Sequence, residues 1–142
     1  MRLVVDANIP IALLLRYGIT GKLFFANELE LFAPEFLKFE LRKHREMVRV
    51  RSVMSDELIA QLMARILCRI KFIPEEQLET YLKSAERICP DPGDVLYFAL
   101  ALHLRCPIWS NDKRLKEQKK ISIYATHELV ELLGISDHPS NL

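Results

Sequence analysis

The sequence predicts an α/β protein with a three-layer α/β/α arrangement, in which helices cover both faces of a central, mostly parallel sheet of four to five strands. Short apolar runs rich in β-branched residues alternate along the chain with longer segments of helical periodicity. This alternation is typical of parallel sheets, whose strands are usually connected by helices. The chain has 142 residues, half of them apolar, so it can bury a sizeable core without disulfides or structural metals.

The predicted strands are short and come from five places in the chain. The first is the β-branched run that ends at Asp6, and the apolar stretch after it is too long for the same strand and predicts a helix. Pro34 closes the second strand. The strands are predicted at residues 3–5, 29–33, 69–73, 107–109 and 121–124.

The predicted helices are placed by their caps and their apolar faces. Ser55 stands where an N-cap is expected, Pro74 occupies a first helical position, and Gly134 ends the last helix. The helix at residues 94–104 is almost wholly apolar, which predicts burial over most of its circumference. The helices are predicted at residues 9–15, 20–27, 35–50, 55–68, 74–88, 94–104, 112–119 and 126–133.

Composition restricts the domain organisation and the compartment. Residues 1–135 are predicted to form one domain and residues 136–142 a flexible tail. The three cysteines, Cys68, Cys89 and Cys106, are widely spaced, which indicates neither a disulfide framework nor a zinc site and favours a reducing cytoplasm. No apolar run approaches the ~20 residues of a membrane span, so no membrane partner is expected. With a formal charge of +1, any contact with a polyanion must be a local patch.

Three aspartates are predicted to share the carboxyl edge of the sheet, where ligands bind in such folds. Asp6 ends the first strand, Asp112 follows the fourth, and Asp94 begins the helix that leads into the fourth. Each could instead serve as a helix N-cap, because aspartate favours that position and the positive end of the helix dipole. Residues 91–94 even have the spacing of a capping box, in which Asp91 caps and Asp94 assists.

Glu40 is predicted to face inward, because helical spacing places it on one stripe with Leu37 and Leu41. A carboxylate among apolar neighbours costs roughly several kcal/mol unless it is paired or bound to a metal. Pairing with Arg42, Arg45 or a capping arginine elsewhere in the chain is the structural alternative. Because the helix begins near the same sheet edge, Glu40 is expected within reach of the three aspartates.

Four carboxylates that converge in one cleft would raise each other's pKa unless a cation neutralised them. The set consists of Asp6, Glu40, Asp94 and Asp112, and it offers only oxygen ligands, which favours Mg²⁺ or Mn²⁺ over zinc. Two such ions about 4 Å apart would orient and deprotonate a water for in-line attack on phosphorus. The acidic set therefore predicts metal-dependent phosphodiester chemistry.

These residues resemble the PIN-domain family over nearly the whole chain. Four motifs carry the resemblance in this order: Val4-Val5-Asp6-Ala7-Asn8, the helical Glu40, Asp91-Pro92-Gly93-Asp94 with Leu96-Tyr97-Phe98-Ala99-Leu100-Ala101, and Ser110-Asn111-Asp112. The resemblance implies a Mg²⁺- or Mn²⁺-dependent endoribonuclease that leaves a 5′-phosphate on its RNA product. Asp6, Asp94 and Asp112 would be metal ligands, and Glu40 a ligand or water-orienting base. The supporting polar residues would be Asn8, Asp91, Ser110 and Asn111.

The resemblance also suggests partners. Many small relatives are the toxin half of VapBC toxin–antitoxin pairs, form homodimers and are held inactive by an antitoxin protein, and this role is left open here. Two departures from the family pattern stand out. Ala7 replaces a hydroxyl residue of many members, and Lys113-Arg114 follow Asp112 where some relatives place a further aspartate. The second departure predicts a less complete second metal site, which Asp91 would partly compensate.

The helix that bears Glu40 is the most basic segment of the chain. Arg42, Lys43 and Arg45 are predicted to bind RNA phosphates beside the cleft, or else to form a solvated outer face. Two other functions fit the sequence less well than nuclease activity does. A phosphatase with Asp6 as nucleophile usually needs a second acid two residues on, where this chain has Asn8. A non-catalytic RNA- or protein-binding module on the same fold would not need the full acidic set.

Overall fold

The computed structural model describes residues 1–136, and the predicted flexible tail lies outside them except for its first residue, Ser136. Five strands form one sheet in which every neighbouring pair is parallel. The strands are Arg2–Val5 (β1), Glu30–Pro34 (β2), Lys71–Ile73 (β3), Ile108–Trp109 (β4) and Ile123–Tyr124 (β5). Helices flank this sheet, and the predicted three-layer α/β/α class is therefore confirmed.

The described residues form eight α-helices and three 3₁₀ segments between and after the strands. The helices are Asn8–Leu15 (α1), Gly18–Phe24 (α2), Phe36–Lys43 (α3), Arg45–Arg51 (α4), Asp56–Arg69 (α5), Leu82–Ile88 (α6), Val95–Leu104 (α7) and Thr126–Leu133 (α8). The 3₁₀ segments are Glu75–Tyr81, Pro92–Asp94 and Lys113–Glu117. As predicted, Ser55 caps α5 and Gly134, in a left-handed conformation with φ of 66°, ends α8.

The order of the strands across the sheet is β3-β2-β1-β4-β5. The chain moves outward from β1 to β2 and β3, and then returns to the other side of β1 with β4 and β5. The carboxyl ends of β1 and β4 therefore flank the point where the strand order reverses, which is where α/β sheets bind ligands. Val5 pairs with Trp109, so the residues directly after these two strands, Asp6 and Ser110, are neighbours.

Helix α7 is the central helix of the core. Its residues from Tyr97 to Ala101 are all buried, because the helix is apolar on every side and packs against both β1 and β2 as well as α6. The predicted burial of this segment is confirmed. No helix within residues 1–136 has the length and apolar character needed to cross a membrane.

The single helix predicted at residues 35–50 is wrong, because the segment forms two helices separated at His44. The backbone of His44 has φ of −97° and ψ of 7°, outside the α-helical range. Its ring Nδ1 lies 2.9 Å from the carbonyl oxygen of Glu40. The same oxygen also accepts the backbone N–H of His44, so the ring shares this acceptor with the helix backbone. A side chain that contacts a backbone carbonyl one turn earlier in this way competes with regular helix and ends α3 at Lys43.

The helices predicted at residues 74–88 and 112–119 are also only partly correct. Pro74 has an extended ψ of 143°, which continues the direction of β3, and the chain after it forms a 3₁₀ segment before α6 begins at Leu82. Asp112 precedes the other 3₁₀ segment as its cap. Both segments are short and polar, and short polar stretches gain little from the packing that makes longer α-helices stable.

Helix α5 ends at Arg69, so the strand predicted from residue 69 begins only at Lys71. The guanidinium of Arg69 donates hydrogen bonds to three carbonyl oxygens after α2: those of Phe24 at 2.9 Å, Ala26 at 2.6 Å and Leu29 at 2.6 Å. Phe24 is the last residue of α2, where carbonyl oxygens lack partners within the helix. The contacts fix the turn that leads into β2.

Candidate active site

Asp6 and Ser110 lie at the switch point of the sheet. The Ser110 hydroxyl donates a 2.6 Å hydrogen bond to Oδ2 of Asp6, and the two residues are only 1% and 6% exposed. Burial raises the pKa of Asp6, the hydroxyl of Ser110 lowers it, and the charges of Glu40 and Asp112 raise it further. The Ser110 oxygen also accepts a 3.1 Å hydrogen bond from the backbone N–H of Asp112, so this one hydroxyl links two of the predicted ligands.

Asp94 closes the 3₁₀ turn that leads into α7 and is half-buried. Burial is the largest cause that raises its pKa, to about 7, and the negative charges of Asp6 and Asp91 come next, followed by those of Asp112 and Glu40. Like charges close to a carboxyl group disfavour its ionised form. The negative charges of the other four acidic residues thus all reach Asp94.

Glu40 is held from a different helix. The hydroxyl of Tyr97, a residue that is 2% exposed, donates a 2.9 Å hydrogen bond to Oε1 of Glu40. Burial and the nearby negative charges raise the pKa of the Tyr97 hydroxyl, so it stays a donor. The alternative partners Arg42 and Arg45 form no ion pair with Glu40 within residues 1–136. A neutral donor, rather than an arginine, fixes this carboxylate.

Asp112 and Asp91 share one arginine at the exposed end of the cleft. Arg114 donates from Nε to Asp112 Oδ1 at 3.1 Å and from Nη2 to Asp112 Oδ2 at 2.9 Å. Its Nη2 also lies 3.6 Å from Asp91 Oδ2. The Arg114 side chain lowers the pKa of Asp112. We call Asp6, Glu40 and Asp94 the inner carboxylates, and Asp91 and Asp112 the outer carboxylates.

The other predicted supporting residues have mainly structural contacts. Asp91 Oδ1 accepts the backbone N–H of Gly93 at 2.9 Å and so caps the 3₁₀ turn, as the capping alternative predicted. Asn111 Oδ1 accepts the backbone N–H of Thr126 at 2.8 Å and holds the start of α8. Asn8 is exposed at the first position of α1, and its backbone N–H contributes to lowering the pKa of Asp6.

The donor chemistry of the inner and outer carboxylates fits a hard divalent cation. All the side chains offer oxygen, and their mutual repulsion would be relieved by a dication. In the part of the chain that the structure describes, no three histidine, cysteine or acidic side chains are grouped closely enough to hold a metal ion as they stand. An ion shared by three of these carboxylates therefore requires side-chain movement.

The basic residues Arg42, Lys43 and Arg45 are exposed on α3 and α4. Two of them line a cavity of about 290 Å³ that has an apolar floor and a cationic rim; its lining consists of Lys38, Leu41, Arg42, Arg45, Met63 and Leu67. A second cavity of about 470 Å³ adjoins Asp112 and includes Lys116 and His127 in its wall. Lys116 and His127 thus share a cavity with Asp112, whereas Arg42 and Arg45 lie over an apolar surface whose cavity includes none of the predicted acidic residues.

Two residues of the site were not assigned a role from the sequence. Tyr97 lies three residues after Asp94, which is the spacing of one helical face, but a tyrosine in an apolar helix is expected to be core. The sequence shows Arg114 as a departure from the family pattern but does not predict which residue it contacts. The signal for Arg114 was its place two residues after a capping aspartate, where an arginine can fold back onto the carboxylate.

Comparisons with known proteins agree with this geometry. The family model described as "PIN domain" matches residues 4–129. The chain is similar in fold to a structure of VapBC2 from Rickettsia felis bound to a DNA fragment from its promoter, with a TM-score of 0.68 at 12% identity over 88% of this chain and 98% of that one. It is similar also to PAE2754 from Pyrobaculum aerophilum, with a TM-score of 0.64 at 16% identity over 96% of this chain and 91% of that one. No curated protein gives a significant match. Because the family model covers most of its length, the chain belongs to the PIN-domain family.

Proposed function

We propose that this protein is a Mg²⁺- or Mn²⁺-dependent endoribonuclease whose reaction takes place in the cleft between the inner and outer carboxylates. PIN domains are generally nucleases. The observation that carries the proposal is the convergence of acidic side chains from four separate segments at the switch point, where Ser110 links Asp6 to Asp112 and Tyr97 ties Glu40 to the helix that follows Asp94; the raised pKa of Asp94 is in keeping with it. Structural capping alone would not require these charges to lie near each other.

The residues have distinct roles in the proposed reaction. Asp6, Asp94 and Asp112 hold the divalent cation, and Ser110 orients the first and last of these through its hydroxyl. Glu40 acts as a further ligand or accepts a proton from the attacking water, and Tyr97 keeps its Oε1 fixed so that the other oxygen faces this task in a constant orientation. When bound, the cation would supply Lewis-acid chemistry at the phosphodiester. Hydrolysis leaves a 5′-phosphate.

RNA is proposed to approach across the basic helices. Arg42, Lys43 and Arg45 neutralise phosphates of the bound RNA, and Lys116, which is paired with Glu128 in the wall of the cavity beside Asp112, offers a further positive charge. The contacts are to the backbone, so they predict strong dependence on salt and weak dependence on sequence.

The test is cleavage of end-labelled single-stranded RNA with Mn²⁺ or Mg²⁺. The wild-type protein should cut the RNA internally and leave a terminal phosphate that a phosphatase removes from the product. Asp6→Asn should cut at least about a hundred-fold more slowly. Glu57→Gln is a matched control, because it neutralises an exposed carboxylate of α5 away from the cleft. Equal rates for the wild type and Asp6→Asn would reject the nuclease and favour a non-catalytic RNA- or protein-binding module.

A second proposal concerns biological role: the protein acts in the cytoplasm as the toxin half of a toxin–antitoxin pair and forms a homodimer. Its fold resembles that of a chain in a VapBC2 complex. The cavity with a floor of Leu41, Met63 and Leu67 also suits the apolar side chains of a protein inhibitor. Induced expression should stop growth, and co-expression of a neighbouring reading frame should restore it. Normal growth with active wild-type protein present would reject the toxin role, and light scattering tests the dimer.

A further inference from the structure

Arg114 contacts both outer carboxylates at once. Its Nε and Nη2 form a two-point contact with the Asp112 carboxylate, at 3.1 and 2.9 Å, and Nη2 lies 3.6 Å from Asp91. The backbone N–H of Arg114 adds a 3.0 Å hydrogen bond to Asp112 Oδ1. A guanidinium that binds one carboxylate through both prongs is held in a defined orientation. Arg114 therefore bridges two segments of the cleft that are 21 residues apart in sequence.

Neutral donors hold two of the three inner carboxylates, in contrast to the outer pair. Asp6 receives the hydroxyl of Ser110, and Glu40 receives that of Tyr97. Within residues 1–136, no lysine or arginine forms an ion pair with Asp6, Glu40 or Asp94. The inner end thus carries uncompensated negative charge, whereas one guanidinium compensates the outer end.

A divalent cation at the outer end would meet this guanidinium. The cation would either break the contact between Arg114 and Asp112 or remain close to the positive charge of Arg114. Both outcomes weaken binding of the cation. At the inner end a first dication meets Asp6, Glu40, Asp94 and neutral hydroxyls, and it gains Asp112 as a ligand only when Arg114 releases one oxygen of that carboxylate. The charge distribution therefore separates the two ends of the cleft, although all their carboxylates interact.

We propose that Arg114 is a built-in counter-cation that takes the place of a second divalent ion at the outer end, so that the cleft binds one divalent ion. The inference rests on the proposed metal-dependent function and concerns how that metal site is limited. Arg114 acts through Asp91 and Asp112 and is a positioning residue. Its side chain is 65% exposed, so its replacement leaves the core unchanged.

Calorimetric titration of the metal-free protein with Mn²⁺ tests the number of ions. The wild type should bind one ion. Arg114→Ala should bind that ion about three- to ten-fold more tightly, because a positive charge near it is removed, and should show a second binding event. Lys113→Ala is the matched control: it removes the adjacent exposed lysine, which forms no ion pair among the described residues, and should bind Mn²⁺ as the wild type does.

A second measurement does not depend on activity or calorimetry. Electron paramagnetic resonance should show coupled Mn²⁺ pairs in Arg114→Ala and isolated ions in the wild type. Two ions in the wild type, or identical binding by the wild type and Arg114→Ala, would overturn the role of Arg114 while leaving the nuclease proposal intact. No Mn²⁺ binding by any variant would overturn both this role and the metal dependence. Arg114→Lys, which keeps the charge, should retain a single ion.

Discussion

The two ends of the acidic cleft differ in how they hold carboxylates that repel one another. The inner carboxylates are buried or half-buried, two of them, Asp6 and Glu40, are held by hydroxyl groups, and the pKa of Asp94 rises to about 7. The outer carboxylates are more exposed and share Arg114, and the pKa of Asp112 falls. A hydroxyl orients a carboxylate without cancelling its charge, whereas a guanidinium does both. The inner end therefore has two oriented carboxylates and no compensating cationic side chain among the described residues, which leaves room for the charge of a divalent ion.

The largest effect is expected from removing the hydroxyl that orients Asp6. Ser110→Ala should weaken Mn²⁺ binding about ten- to a hundred-fold, because Asp6 and the backbone of Asp112 lose their common partner. Ser110→Thr, which keeps a hydroxyl, should recover most of the affinity. If Ser110→Ala binds Mn²⁺ as tightly as the wild type, the Ser110 hydroxyl does not orient Asp6 for metal binding.

Tyr97→Phe should reduce kcat for RNA cleavage about ten-fold with little change in KM. The ring still fills the core, but Oε1 of Glu40 loses its donor and the carboxylate no longer has one orientation. Tyr124→Phe on β5 is the matched control for loss of a hydroxyl. A fall in thermal stability with unchanged kcat would show that Tyr97 serves packing alone.

The two ends should respond oppositely to pH in the metal-free protein. Asp94 has a raised pKa, so its contribution to stability is present at low pH and is lost as pH rises through about 7. Asp94→Asn should therefore unfold about 3–6 °C higher than the wild type at pH 8, and the difference should shrink at pH 5.

Asp112 is the matched comparison, since its pKa is lowered and its contribution is present at neutral pH and lost as pH falls below the usual aspartate range. Asp112→Asn should unfold about 1–2 °C lower than the wild type at pH 8, because an exposed ion pair is worth little. Thermal scans at the two pH values measure both variants. Shifts of the same sign would contradict the distinction between the ends.

The smallest effect is expected outside the cleft. The double change Arg42→Ala and Lys43→Ala should weaken RNA binding about three-fold at low salt and flatten its dependence on salt, with Mn²⁺ affinity unchanged. A double change of Lys83 and Arg87 to alanine on α6 removes equal charge elsewhere and is the control. An unaltered salt dependence in the first variant would show that Arg42 and Lys43 do not contact RNA phosphates.

Much of the fold could be predicted because its signals are local. Alternating strands and helices predicted the parallel sheet, and helical spacing predicted that Glu40 faces inward. The order of the strands could not be predicted, since it depends on which side of β1 the strand β4 joins. The break at His44 depends on a contact with the carbonyl of Glu40, which periodicity does not record.

The carboxylates of the site were easier to predict than the groups that hold them. Acids after strand ends draw attention because parallel strands end at a common edge. Tyr97 is indistinguishable in sequence from a core aromatic, and Arg114 from any exposed arginine. Their roles depend on pairs that join distant parts of the chain, 57 residues apart for Tyr97 and Glu40. Such pairs are set by tertiary structure.

The outermost strands of the sheet are very short: β3 has three residues and β5 has two. A sheet border of this length exposes few backbone groups for hydrogen bonding with another molecule. Growth of the sheet from one copy into the next, as in fibrils, is therefore disfavoured at both borders. Self-association through side chains of the helical surfaces is favoured over pairing of strands.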